Sequence, residues 1–341
     1  MSKKKVTFDD IAKYTNFSKT TISRYFNNPD SLTVKNQDII AQALIDLDYQ
    51  ENKLAKVLAN GKSEFVGVVI PNLYLHYYAE VLNQLLISYE KFGYKFMVFV
   101  GTGEEETERK YIQELLAYKI EGMIILSHTI PSKELASYNI PIVTIEREDE
   151  YVNSVNTDNY MGAQQATSLL AKSNCDILLH INSNVSEETP SYKRILGFQD
   201  ICREHNIQHE LIIQDFKDSH QGAAKQLQDI YEYINDKYPN QKKGLFMPND
   251  TYANILLNII FREHGKLPDD YCIVGFDNSP IAEEAIIPIS TIGQQIDKIA
   301  YEAMDLLVAQ MNERKKRRPN PQKELIHKSI TPIVIRRKTT E

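Results

Sequence analysis

The 341-residue chain has no tryptophan and only three cysteines. Cys175, Cys202 and Cys272 are odd in number and scattered. That excludes a disulfide framework or a cysteine-based zinc cluster and suits a reducing cytoplasm. No apolar run reaches the ~18 residues needed to span a bilayer, so no membrane partner is expected. The basic start Met1-Ser2-Lys3-Lys4-Lys5-Val6 has no apolar stretch behind it, so no secretory signal is expected. Also missing are G-x-S-x-G, a P-loop, C-x-x-C and H-E-x-x-H, and His180, His205 and His220 keep no metal spacing. Gly101-Thr102-Gly103 follows a strand pattern, but Glu106 holds the sixth position, so G-x-G-x-x-G is not completed. These absences point away from an enzyme, and no metal or cofactor is expected.

What is present is unevenly spread. Residues 1–62 hold ten Lys/Arg against seven Asp/Glu, and the remainder holds 29 against 39. A basic start on an acidic body suits a protein in which only the start meets phosphates. A chain of this length is expected to form two or three domains.

The first fifty residues pattern as three short helices. Thr7 is placed to cap the first, with Asp9 and Asp10 in its opening turn and Phe8, Ile11 and Ala12 as its buried stripe. Asn16 falls at the turn, where a left-handed backbone suits Asn. Ser18 caps the second helix, whose Ile22 and Phe26 face inward with Phe17. Lys19, Thr20, Thr21, Ser23 and Arg24 then point outward. The third helix, about Val34 to Leu47, supplies Ile39, Ile40, Ala43, Leu44 and Leu47 as a lid. On periodicity alone this is either a solvated three-helix bundle or a helix-turn-helix whose second helix reaches base edges and phosphates.

At residue level the segment resembles the DNA-binding head of the LacI/GalR family of bacterial transcription regulators, T-x-x-D-I-A-x-x-A-G-V-S-x-x-T-V-S-R-x-x-N. Thr7, Asp10, Ile11, Ala12, Ser18, Thr21, Ser23, Arg24 and Asn27 stand at matching positions, with Ile22 for Val and Thr15-Asn16-Phe17 for Ala-Gly-Val. The resemblance implies that Lys19, Thr20 and Arg24 read bases in the major groove. It puts Ser18, Thr21, Ser23 and Asn27 on or near phosphates, with Thr7 at the same surface.

Tyr49 to Ala59, followed by Asn60-Gly61, patterns as a short helix stopped by Asn-Gly. It is similar to the family's hinge, Y-x-P-N-x-x-A-R-x-L, which orders on the operator, pairs across a dimer and wedges a Leu into the minor groove. Asn52, Ala55, Lys56 and Leu58 match as DNA contacts, with Leu58 the wedge. Glu51 stands for the Pro, and Lys56 for the Arg, which keeps charge and loses the planar fork. A plain interdomain linker helix is the other reading.

From Phe65 onward near-continuous apolar strands alternate with amphipathic helices, the pattern of parallel sheets covered on both faces. Two such series, the second opening at Asp158, imply two doubly wound lobes with a ligand cleft beyond the strand ends. The body resembles the family's periplasmic-binding-protein-like core. The expected fold is therefore α/β: an all-α three-helix head and a two-lobed core of parallel sheets. Expected boundaries are 1–50 for the head, 51–63 for the hinge, 64–159 with 292–325 for the first lobe, and 160–291 with 326–341 for the second. Lobe crossings are expected near Asn159–Gly162, Pro288–Ile292 and Lys323–Ser329. The stretch Met311 to Pro321 is basic and broken by Pro, and reads as a solvated loop.

Effector candidates sit where strands end: Tyr77, Tyr78, Ser127, Arg147, Arg194, Asn249, Phe276, Asp277 and Gln294. Arg194 stands out because it opens a helix, where the dipole favours anions. The resemblance gives Ser127, Arg194, Asn249 and Asp277 to effector hydroxyls, and Tyr78 and Phe276 to its apolar faces. Individually, Asn249 could be a helix cap, Phe276 plain core, and the arginines surface ion pairs. The residues leave neutral sugar, sugar phosphate and uronic acid open, with a nucleobase as a further case. The resemblance implies a cytoplasmic, homodimeric repressor of carbohydrate-use genes on a near-palindromic double-stranded operator. The rival readings are a transport-type or sensory sugar-binding protein, and a regulator controlled by a corepressor or a partner protein.

Overall fold

The computed structural model describes residues 6–50, 63–101, 103–147, 150–183, 186, 189–216, 219–316 and 324–341. The chain divides into two compact units, Met1–Lys62 and Ser63–Glu341. The first contains helices α1 (Phe8–Thr15), α2 (Lys19–Asn27) and α3 (Val34–Asp46). Helix α1 starts where Thr7 donates its N–H and its hydroxyl to the Asp10 carboxylate at 2.9 and 2.7 Å. It stops at Asn16, which takes φ 55° and donates its N–H to Ala12, a left-handed turn that Asn tolerates. Ser18 Oγ accepts the Thr21 N–H at 3.1 Å and fixes the start of α2.

Ile11, Ala12, Ile22, Ile40 and Ala43 form the small core, and the stacked rings of Phe8 and Phe26, 5.1 Å apart, flank it. Ile39 departs from expectation, since it is 39 % exposed. The inward stripe of α3 runs Ile40, Ala43, Leu44, Leu47, and Ile39 lies about 100° round the helix from it.

The second unit holds two six-stranded sheets. The first is built from β1 (Phe65–Ile70), β2 (Lys95–Val100), β3 (Gly122–Ile125), β4 (Ile142–Ile145), β5 (Asn153–Thr157) and β11 (His327–Ile330), in the order β11-β5-β4-β3-β1-β2. Its helices are α4 (His76–Ile87), α5 (Tyr89–Phe92), α6 (Glu105–Ala117) and α7 (Ser132–Ser137). The second comprises β6 (Ile177–Asn182), β7 (His209–Ile213), β8 (Lys243–Phe246), β9 (Tyr271–Asp277), β10 (Ser290–Gly293) and β12 (Ile333–Ile335), in the order β12-β10-β9-β8-β6-β7. Helices α8 (Asn159–Lys172), α9 (Tyr192–Glu204), α10 (His220–Lys237), α11 (Asp250–His264) and α12 (Pro280–Glu284) belong with it. Helix α13 (Ile296–Arg314) returns to the first sheet, where Ile299, Ala303 and Leu307 join Val66, Val68 and Ile124 in one core. Every pairing is parallel except β10 with β12.

Two crossings fall later than the sequence places them. Strand β10 pairs with β9, so residues 290–293 stay in the second lobe and the chain crosses at Gln294–Gln295. Strand β11 pairs with β5, so residues 327–330 belong to the first lobe and the last crossing lies between Ile330 and Ile333. These strands read Ser-Thr-Ile-Gly and His-Lys-Ser-Ile. They are too short and polar to show the apolar pattern of a buried strand.

Helices α8 and α9 pack backbone to backbone. A Cβ on Gly197 would lie 2.4 Å from the Tyr160 carbonyl oxygen and 3.0 Å from Ala163 Cβ. This contact brings the first turn of α9, with Arg194, against Asn159. Gly197→Ala should therefore cost about 1–3 kcal/mol through overpacking. Urea denaturation midpoints measure it, and an unchanged midpoint would show that the two helices have room to part.

Candidate functional site

A cavity of about 250 Å³ opens between the two sheets of the second unit. Leu75, Tyr77, Tyr78, His128 and Glu146 line it from the first lobe. Asn182, Ser183, Thr189, Ser191, Arg194, Pro248, Asn249 and Asp277 line it from the second, and Gln294 from a crossing. Asn182, Asp277 and Gln294 end or follow strands β6, β9 and β10, the place where parallel sheets gather their ligands.

One bonded network joins the walls. Arg194 Nε donates to Asn159 Oδ1 at 2.6 Å, and its Nη1 to the Pro248 carbonyl at 2.7 Å. Asn159 Nδ2 donates to Glu146 Oε2 at 2.9 Å, and the Thr157 N–H donates to the other Glu146 oxygen. Thr157 Oγ1 donates to Gln294 Oε1 at 2.5 Å, and Gln294 Nε2 donates to Asp277 Oδ1 at 2.6 Å. Carboxylates from both lobes and residues from two crossings thus share one chain of hydrogen bonds.

Arg194 is 7 % exposed. Burial lowers its pKa, and the charges of Asp277 and Glu146 oppose that. Its guanidinium carbon lies 3.6 Å from the centre of the Phe276 ring, a cation–π contact worth roughly 0.5–2 kcal/mol. These partners offset the unfavourable dipole at the start of α9. Burial pushes the Asp277 carboxyl well above the usual carboxylate range, and the neighbouring Asp250 adds to that, while Arg194 and the Gln294 amide act against it. Asp277 takes φ 114° and Glu146 φ 51°, backbone conformations that are costly for side-chain-bearing residues and gather at functional sites. Two polar atoms on residues lining the cavity, Tyr77 Oη and Asn182 Nδ2, are buried and accept or donate no hydrogen bond among the described residues.

The cavity brings together Tyr77, Tyr78, Arg194, Asn249, Asp277 and Gln294 of the sequence candidates. Asn249 also caps α11, accepting the Tyr252 N–H at 2.8 Å. Ser127, Arg147 and Phe276 do not line it. Ser127 donates to Glu108 Oε2 at 2.7 Å, while Arg147 donates to the carbonyls of Ser127 and Ile130 at 2.9 and 2.6 Å. Both hold the loop after β3 in shape. Phe276 is fully buried beneath Arg194. Sequence reasoning missed Thr157, Asn159 and Asn182. A polar residue ending an apolar strand, as Asn182 does, was the available signal.

In the first unit Thr20 and Arg24 are exposed, and Lys19 is exposed and paired with Asp9 at 2.6 Å. Asn27 Nδ2 donates to Ser23 Oγ at 3.1 Å, and Ser18, Thr21 and Thr7 make the caps described above. Asn52, Ala55, Lys56 and Leu58 lie outside the described residues. Among the described residues no cluster of His, Cys, Asp and Glu could hold a metal ion, and no helix is long and apolar enough to cross a membrane.

Residues 63–251 match the model for periplasmic binding proteins and the sugar binding domain of the LacI family, and residues 168–340 match a periplasmic binding protein-like domain. The chain belongs to the LacI/GalR family. Among curated members of that family, the ribose operon repressor of Halalkalibacterium halodurans is 28 % identical over 90 % of this chain and 91 % of its own. The sucrose operon repressor of Streptococcus mutans is 26 % identical over 89 % of this chain and 92 % of its own. Among solved LacI-family folds, a lac repressor dimer bound to operator and an anti-inducer superposes with a TM-score of 0.81 at 19 % identity, over 99 % of both chains.

The raised Asp277 carboxyl makes a pH prediction. The fold holds this proton more tightly than the unfolded chain does, so its contribution favours folding at low pH. That contribution is lost as pH rises from the ordinary carboxylate value of ~4 through the folded value. Asp277→Asn should therefore flatten the fall of melting temperature with rising pH. Asp250, pushed up to about 7 by burial, keeps its own share in the variant. Parallel melting curves for the two proteins across that range would remove Asp277 from the account.

Proposed function

We propose that this chain is a sequence-specific DNA-binding transcription regulator, a repressor of carbohydrate-use genes, whose operator affinity is set by a small sugar-like effector in the interlobe cavity. The observation that carries the reading is the pairing, in one chain, of two devices. One is a capped two-helix head that leaves Lys19, Thr20 and Arg24 in solvent, and the other is a polar cavity between two α/β lobes. Relatives named ribose and sucrose operon repressors, aligned over nearly their whole length, support it. The protein works as a homodimer on near-palindromic operator DNA in the cytoplasm, by binding and without a chemical step.

The cavity favours a neutral effector. Arg194 already gives two donors to Asn159 and Pro248, and the Glu146 and Asp277 carboxyl groups stand beside it. A phosphate or carboxylate would meet two carboxyl groups and, as its cation, a guanidinium already bonded to Asn159 and Pro248. Hydroxyl groups would instead meet Tyr77 Oη and the Asn182 amide, which need partners. At about 250 Å³ the space falls below the roughly 300–1,000 Å³ of pockets for drug-sized ligands. One sugar ring suits it better than two.

The test uses the full chain. Binding-site selection on random duplex DNA identifies the operator, and anisotropy titrations then compare neutral monosaccharides, sugar phosphates and uronates. The expected result is release by a neutral monosaccharide in the native protein and none in Arg194→Ala, which keeps operator affinity. Release by anionic sugars alone would reject the neutral-effector reading, and selection of no sequence at all would reject the regulator. In the same assay Lys19→Ala should change the selected bases, with about 1–3 kcal/mol lost on the native site. Leu58→Ala should weaken specific binding more than non-specific binding, because a wedge acts through a deformable site.

A further inference from the structure

The scattered cysteines of the sequence do not stay apart in the fold. Gly244 on β8 and Cys272 on β9 stand opposite each other in a parallel pair. Their side-chain positions therefore share one sheet face, about 4.8 Å apart. Cys175, on the turn between α8 and β6, lays its Sγ 3.0 Å from the place a Gly244 Cβ would occupy. The missing side chain of Gly244 thus gives Cys175 the space beside Cys272, and both lie in the same apolar cluster. The turn is fixed by reciprocal bonds, the Asp176 N–H to the Lys242 carbonyl at 2.8 Å and the Lys242 N–H to Asp176 Oδ2 at 2.7 Å. Cys175 is half-buried and Cys272 is buried.

We propose that Cys175 and Cys272 form a redox-responsive thiol pair that closes into a reversible disulfide on exposure to hydrogen peroxide. The thiol of Cys175, the Lys242 ammonium and the Ser173 hydroxyl favour the Cys272 thiolate against burial, so that its pKa is lowered to about 7, while that same pairing, burial and the Asp176 charge keep Cys175 in its thiol form. The Cys272 thiolate attacks one peroxide oxygen. An S–O bond forms, the O–O bond breaks and hydroxide leaves, so sulfur is oxidised to the sulfenic acid as peroxide is reduced. Cys175 then attacks that sulfur. The S–S bond forms, the S–O bond breaks, and the departing hydroxide takes the Cys175 proton to become water. The bridge ties the lead of β6 to β9, two strands whose far ends carry Asn182 and Asp277 into the cavity.

The experiment treats reduced full-length protein with a small molar excess of hydrogen peroxide, blocks remaining thiols and maps tryptic peptides without reductant. The expected result is a Cys175–Cys272 linked peptide, loss of two of the three thiols, and full recovery with dithiothreitol. Cys202→Ser should behave in the same way. Cys175→Ser should leave a sulfenic acid on Cys272 that dimedone traps. A bridge that uses Cys202, or thiols that stay unreacted in the folded protein while the urea-unfolded chain reacts, would overturn the assignment.

Discussion

The site depends on keeping one buried cation satisfied. An isolated guanidinium cannot leave water without a cost of several kcal/mol. Arg194 therefore draws in Asn159, the Pro248 carbonyl and the Phe276 face, with the Glu146 and Asp277 carboxyl groups beside it. The partners are spread over several elements, so the need to satisfy Arg194 positions the end of β8, the end of β9 and the start of α8 at once. Gly197 serves the same end from within α9, because only a residue without a side chain lets that helix approach α8 closely enough for Arg194 to reach Asn159. The contortion at Asp277 fits the same logic. Gly275, two residues earlier, leaves room for Asp250, whose Oδ1 would lie 2.1 Å from a Cβ there, and Asp250 in turn binds Ser279 and Thr291.

The path from sequence to site was legible where residues obey a period or a cap. Asn16 in its left-handed turn, Ser18 as a cap and the inward stripes of α1 and α2 followed from elementary preferences. So did the apolar strands β1, β3, β6 and β9. Strands β5, β10, β11 and β12 were not legible. Strand β5 reads Asn-Ser-Val-Asn-Thr, and its buried polar side chains reach partners far along the chain. Ser154, for example, meets His327 Nδ1 at 2.8 Å, and Asn153 accepts the Ile326 N–H at 2.8 Å. A local pattern carries no trace of such contacts.

The same limit explains the cavity. Arg194 was conspicuous because a cation opening a helix violates the dipole rule, and Asp277 because it ends an apolar strand. Ser127 and Arg147 occupy equally suggestive strand ends, yet their side chains turn to Glu108 and to loop carbonyls. Which way a strand-end side chain turns is settled by the helix or loop that packs beside it, and a one-strand pattern does not show that neighbour. Thr157 and Asn159 were hidden for the opposite reason. They sit at a crossing, where polar residues read as an ordinary turn or cap.

The crossings give the cavity its leverage. Thr157 and Gln294 stand on two separate crossings and bond to each other, and each also bonds to a cavity carboxylate, Glu146 or Asp277. A ligand hydroxyl that engages either carboxylate competes within this chain of bonds. It therefore acts on the segments that join the two lobes. A coupling of about 1–3 kcal/mol is typical of allosteric proteins, and one or two charge-assisted hydrogen bonds supply that amount. The first lobe also begins under constraint, since the buried Ser63 donates to the Lys119 carbonyl at 2.6 Å and accepts the Phe65 N–H. Ser63, the first residue of the second unit, is thus bound directly into the first lobe.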